Sequence, residues 1–207
     1  IVGAVALADE IGIEAFTMRK LAGALGVKPM SIYHHVSSKD EILDGMVDTV
    51  FGEIDLPPDH LDWQDAIRRR CVSARAVLNG HPWAPPLMES RQNPGPATLG
   101  HHDAVIGCLR RGGLSFELTS HAYAVIDSYL YGFALQEANL PFGGGEEIGE
   151  LAEDIVTDVA DEQYPNLVEF VANTALQPGY SFGRSFAVGL DLIIEGFARA
   201  AANEGPA

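Results

Sequence analysis

The chain has 207 residues, 47% of them apolar, with 13 basic against 29 acidic side chains and a formal charge of −16. That length and composition suit one substantial core, or a small module joined to a larger domain, and exclude a disordered chain. No apolar run reaches the ~18 residues that a membrane span needs; the segment 122–135 is broken by Asp127 and Ser128, so no membrane partner is expected. The acidity argues against a surface that is basic all round, but net charge does not decide what one local face can do. Cys71 and Cys108 stand alone in helix-like patterns, so buried free thiols and a reducing cytoplasmic setting are expected. The chain opens at Ile1 rather than Met, which sets the expectation of a natural start further upstream.

Helical spacing dominates and strand-like alternation never lasts, so an all-α fold is predicted. Val5, Ala8 and Ile11 share a face, and Gly12 breaks that first helix. Thr17 is placed to cap a helix running to Leu25, with Gly26 as a left-handed stop. Pro29 suits the first turn of the next helix. Ser37 or Ser38 can cap a longer one, in which Ile42, Met46, Val50 and Ile54 recur every four residues. The two prolines within 55–60 make a linker. Further helices are predicted near 62–79, 97–112, 115–139, 147–160, 164–174 and 180–203, with loops at 79–86, 91–96 and 141–147. Gly143 to Gly145 in the last loop lack the preceding strand and following Lys-Ser/Thr of a phosphate loop.

Residues 17–36 read as helix, turn, helix, the pattern in which a first helix braces on the DNA backbone and a second enters the major groove. The spacing predicts Ile32 and Val36 packed against Leu21, Leu25 and Val27. Pro29, Met30, Ser31, Tyr33, His34 and His35 then lie on or beside the outer face. Ser31 and the two histidines offer donors and acceptors for base edges, and Met30 an apolar contact to a thymine methyl. Tyr33 can donate to a phosphate. Lys39 at the start of the following helix, and Arg19 early in the bracing one, suit phosphate contacts. A plain helical hairpin with solvated polar residues has the same spacing.

The stretch Ile13 to Asp48 resembles the DNA-binding module of the tetracycline-repressor (TetR) family. The likeness runs from Thr-x-Arg-Lys-Leu-Ala through Leu-Gly-Val to Tyr-x-His-Val and Lys-Asp. The segments 63–70, 110–118 and 186–200 resemble the C-terminal effector domain of the tetracycline repressors themselves. The resemblance implies a helix-turn-helix domain over residues 1–47 and an effector-binding and dimerisation domain over 48–207. It implies a homodimeric transcriptional regulator, most simply a repressor released from a near-palindromic DNA operator by a small-molecule effector. By matching position, DNA contacts fall on Thr17, Met18, Arg19, Lys28, Pro29, Met30, Ser31, Tyr33, His34, His35 and Lys39. Lys28 stands where the family often has Ser or Thr, which trades a cap for a cation. The alternative is a small-molecule-binding helical module with weak or lost DNA binding, motivated by four basic against eight acidic side chains in residues 1–54.

Heptad-like spacing of Phe186, Leu190, Ile193, Phe197 and Ala200, and of Ala122, Val125, Tyr129 and Gly132, predicts a dimer seam through the helices near 115–139 and 180–203. An intramolecular core has the same pattern. Polar and aromatic residues that interrupt apolar faces are candidate effector contacts: Arg70, Trp83, Glu89, Asn93, His102, Asp127 and Tyr131. The metal-linked histidine of the tetracycline repressors falls on Glu89, and a carboxylate contact supplied across the dimer falls near Gln136, so magnesium-tetracycline is not the expected effector. His101 and His102 point about 100° apart on a helix, an awkward pair for one metal ion. No catalytic motif is present, so neither enzyme activity, cofactor nor metal is expected.

Overall fold

The computed structural model describes residues 1–140 and 164–204. Among them are ten helices and no strand, as the all-α reading expects. Two compact units are present: Ile1–Ala138 with Leu190–Ala207, and Asn139–Gly189. The helix predicted over 147–160 and the glycine-rich loop at 141–147 lie outside the described residues.

The larger unit begins with α1 (Val2–Ile11), which buries Ala4, Val5, Leu7 and Ala8 and stops at Gly12 with φ 75°. Thr17 caps α2 (Met18–Ala24) by accepting from the Lys20 N–H at 3.2 Å, worth about 1 kcal/mol. At Gly26 φ is 67°, a left-handed turn that a Cβ disfavours. The chain then enters α3 (Pro29–Ile32) with proline in its first turn. Ser38 caps α4 (Lys39–Glu53) through the Glu41 N–H at 3.1 Å, and the Glu41 carboxylate accepts in return from the Ser37 N–H and hydroxyl, both at 2.7 Å. The four-residue repeat is realised as one inward face: Ile42, Met46, Val50 and Ile54 are all buried.

Past the linker run α5 (Trp63–Gly80), α6 (Ala84–Ser90), α7 (Pro96–Arg111) and α8 (Phe116–Ala138). The loop predicted at 79–86 is shorter than expected. α5 continues to Gly80, and Pro85 and Pro86 occupy the first turn of α6, where a missing N–H costs nothing. α5, α7 and α8 pack on one another, and α4 packs across α1, α5, α6 and α7. The boundary expected at residue 47 falls inside α4, which runs unbroken through it, and residues 1–138 pack as one body. Cys71 and Cys108 are buried and unpaired. The smaller unit holds α9 (Pro165–Asn173), a turn with Gly179 at φ 78°, and the start of α10 (Arg184–Glu204). Further along α10, Asp191 accepts from Arg68 Nε on α5 at 2.6 Å.

Candidate functional site

Two regions carry the sequence-predicted residues. In the first, α3 is a single turn of α-helix, and the chain continues to Val36 through bonds from His34 N–H to Ser31 O and from His35 N–H to Ile32 O. So short an element buries one side chain, Ile32. The expected inward packing of Leu25 and Val27 does not occur: they are 49% and 44% exposed. Both line an open groove of about 290 Å³ with Leu21, Val36, Ser31 and His35. Ser31 and His35 therefore border this groove as well as the outer face. Thr17, Arg19, Lys28, Pro29, Met30, Tyr33 and His34 are exposed, and Met18 is half-buried. Residues 27–39 hold Lys28, Lys39, His34 and His35 and no acid, so a small non-acidic face does exist on this acidic chain. Lys39 also braces the fold, because its Nζ donates to the Phe16 carbonyl at 3.2 Å and sits 5.6 Å from that ring's centre.

The second region is a cavity of about 460 Å³ bounded by α4, α6, α7 and α8. Five of the seven candidate effector residues line it: Glu89, Asn93, His102, Asp127 and Tyr131. Arg70 lies behind the wall, fully buried, with Nη1 donating to Asp127 Oδ1 at 2.6 Å and Nε to His101 Nε2 at 2.9 Å. Burial disfavours the Arg70 charge, but Asp127, together with Cys71 and Tyr131, outweighs it and keeps the guanidinium protonated. Because His101 Nε2 accepts, its proton resides on Nδ1, and burial with Arg70 alongside pushes its pKa down to about 3. His102 points to a different partner, the Tyr123 hydroxyl, so the two adjacent histidines play separate parts. Burial lowers the His102 pKa against the pull of Asp127.

Trp83 does not reach this cavity. It is buried beside α1, its indole N–H donating to Asp9 Oδ1 at 2.6 Å. The same Asp9 oxygen meets His81 Nδ1 at 2.7 Å, while His81 Nε2 meets Glu53 at 3.0 Å. The α5–α6 turn thus ties the first helix to the end of α4.

Sequence reasoning missed the acidic row on α4. Asp40, Asp44 and Asp48, four residues apart, all engage the segment that closes the cavity. Arg91 donates to Asp44 at 2.5 Å and to Asp40 at 3.1 Å, and Asn93 donates to Asp44 at 3.2 Å. Asp48 accepts from the Thr98 N–H at 2.8 Å and its hydroxyl at 2.9 Å, at the N-terminus of α7. A Cβ on Gly95 would stand 2.3 Å from the Asp48 carboxylate, so glycine is what lets this approach happen. The four-residue spacing of these acids was visible, but a solvated helix face has the same spacing.

The residues predicted to form the dimer seam differ in burial. Phe186, Leu190 and Ala122 are buried within the chain, while Ile193, Phe197, Ala200, Tyr129 and Gly132 are half-buried. Val125, also of the predicted seam, is exposed, and the other exposed large apolar side chains on these helices are Phe116 and Leu135 on α8 and Val188 and Leu192 on α10. Both helices carry apolar residues on two sides, so spacing alone could not assign which side faces inward. No helix of the described residues is long and apolar enough to cross a membrane.

Known proteins agree with this architecture. Residues 1–46 match the family described as bacterial regulatory proteins, tetR family, and residues 56–200 match the tetracyclin repressor-like C-terminal domain. An HTH-type transcriptional regulator of Saccharopolyspora erythraea is 37% identical over 136 residues, 65% of this chain and 58% of that protein. The HTH-type transcriptional repressor DrrR1 of Streptomyces coeruleorubidus is 34% identical over 133 residues, 63% of this chain and 49% of that protein. The alignments thus span about half the length of these two relatives. The structure of the Streptomyces coelicolor TetR family protein ActR in complex with actinorhodin superposes with a TM-score of 0.78 at 27% identity, covering 97% of this chain and 95% of that one. With both of its segments matched, the chain is a member of the TetR family of bacterial regulatory proteins.

Proposed function

We propose that this protein is a DNA-binding transcriptional repressor that a small molecule releases from its operator. Residues 1–47 act as the reading head and residues 48–207 as the effector and dimer domain. In the reading head, Met30, Ser31, His34 and His35 face bases, and Thr17, Met18, Arg19, Lys28, Pro29, Tyr33 and Lys39 face the backbone. A homodimer joined through α8 and α10 presents two heads to successive major grooves, roughly 34–36 Å or a multiple apart, so the operator is near-palindromic. The observation that carries the reading is the aspartate row on α4. One helix follows the reading turn at its first end and holds the cavity's closing segment, through Arg91, Asn93 and Thr98, along its length. A ligand that fits one position of that segment better than the other shifts α4 and the head with it, by no more than its differential affinity. The relative ActR, solved with actinorhodin bound, supports a ligand cavity in this fold. Magnesium-tetracycline is not the expected effector, because by family resemblance the metal-linked histidine falls on Glu89.

The test is fluorescence anisotropy of the full chain with DNA from upstream of its own gene, beside scrambled DNA. Salt-dependent, sequence-selective binding that Tyr33→Ala/His34→Ala abolishes supports the reading. Cavity ligand binding with no DNA selectivity favours the alternative of a helical ligand-binding module. Locking the two heads by a crosslink tests the lever, since effector-driven release that persists unchanged excludes motion of α4.

A further inference from the structure

The cavity carries one carboxylate, exposed to solvent, that no cation of the described residues pairs. Its ionised lining residues are Asp44, Glu89, Arg91 and Asp127. Asp44 is held by Arg91, whose remaining nitrogens are taken by Asp40, and Asp127 is held by Arg70. Glu89 has neither a hydrogen-bond nor an ion-pair partner among the described residues. It stands at the junction with a second cavity of about 320 Å³, sharing Ser128 and Tyr131 between the two. Tyr131 is 7% exposed, lines both cavities, and its hydroxyl has no hydrogen-bond partner. A buried donor left unmade costs free energy until something accepts from it.

We propose that this site binds an organic cation: a flat aromatic molecule with a protonated basic nitrogen, whose cationic N–H lies at Glu89, while a ring oxygen, where the ligand has one, accepts from the Tyr131 hydroxyl. The inference rests on the effector-cavity reading above and names its ligand class. The size fits, since drug-sized ligands occupy cavities of about 300–1,000 Å³. Phe51 and Tyr123 supply aromatic surface for the ring system, and aromatic faces attract cations as well. An anion finds no free cation in the lining, because Arg91 is doubly engaged and Arg70 is sealed behind Asp127. Burial keeps His102 neutral, so it adds no positive charge. The chain's formal charge of −16 draws cations toward the cleft and repels anions.

The test uses three tricyclic probes that differ mainly in charge, namely 9-aminoacridine (cationic), acridone (neutral) and anthracene-9-carboxylate (anionic). Each is titrated by fluorescence into the full chain at 0.15 M salt. Binding of 9-aminoacridine at least tenfold tighter than the other two is expected. Glu89→Gln should weaken it about tenfold and leave acridone unchanged, whereas Tyr131→Phe should weaken acridone severalfold. Ser128→Trp, which fills the shared wall, should abolish binding of both and so locate the site. Equal or tighter binding of the carboxylate, a Glu89→Gln variant with unchanged affinity for 9-aminoacridine, or no binding of 9-aminoacridine at all overturns the proposal. DNA affinity is read in parallel. Glu89-dependent cation binding that leaves DNA affinity unchanged sinks the effector reading alone. An anion that binds the cavity and releases DNA sinks the cation proposal alone.

Discussion

Replacing Asp127 by Asn removes the one carboxylate that, among the described residues, pairs with a fully buried guanidinium. Arg70 is 0% exposed, with Asp127 Oδ1 2.6 Å away and His101 Nε2 and, at 3.9 Å, Cys71 Sγ as its other acceptors. Leaving a buried charge unpaired costs about 3–5 kcal/mol. Asparagine keeps an oxygen acceptor, and the Asp127 side chain is 11% exposed to the cavity, so the lower end, about 3 kcal/mol, is expected. At roughly 2–4 °C per kcal/mol for a domain of this size, the midpoint of thermal unfolding should fall by about 6–12 °C. The Arg70→Met/Asp127→Leu double variant removes both charges and should recover most of the loss, retaining about 1 kcal/mol because His101 Nε2 loses its donor. Urea unfolding at one fixed protein concentration checks both values, the concentration mattering because a dimer's stability depends on it. An Asp127→Asn loss below about 1 kcal/mol, or a double variant no more stable than the single one, would refute the view that this pair is a closed charge balance.

Other consequences can be measured separately. Burial opposes protonation of His81, but hydrogen bonds to Asp9 and Glu53 raise its pKa above 6.5, and Trp83 also faces Asp9. A raised histidine pKa contributes stability below the unfolded value that is lost as pH rises through the folded one. The stability gap between wild type and His81→Gln should therefore be widest near pH 6 and shrink above it; thermal scans across pH 6–8 that show a constant or widening gap contradict this. Lys28 is exposed at the head's surface, whereas Lys39 braces Phe16. Lys28→Ala should lower the salt slope of DNA binding by about 1 with little change in stability, while Lys39→Ala should also lower the unfolding midpoint. Leu192, 63% exposed, faces away from the protomer core, so Leu192→Arg should convert a dimer to a monomer in sedimentation while helicity by circular dichroism stays constant.

By itself the sequence determined the local elements whose physics is local. Thr17, Gly26, Pro29 and Ser38 mark helix ends because a cap, a left-handed turn or a missing N–H acts within a few residues. The repeat of Ile42, Met46, Val50 and Ile54 placed the buried face of α4 because one side of that helix is apolar and the other acidic. Helical spacing, with the family likeness, placed the reading turn, and polar residues that interrupt apolar faces marked most of the cavity candidates. Tertiary structure alone decided where ambiguous faces point. α8 and α10 are apolar on two sides, so only packing showed Ala122, Phe186 and Leu190 turned inward and Val125 and Leu192 outward. Trp83 read as a ligand contact until the fold set it against Asp9, 74 residues away in sequence. Asp40, Asp44 and Asp48 went unremarked because their partners, Arg91, Asn93 and Thr98, lie about fifty residues downstream. Charge pairing across such distances leaves no periodic trace in the chain, and it is this pairing that joins the cavity to the helix behind the reading turn.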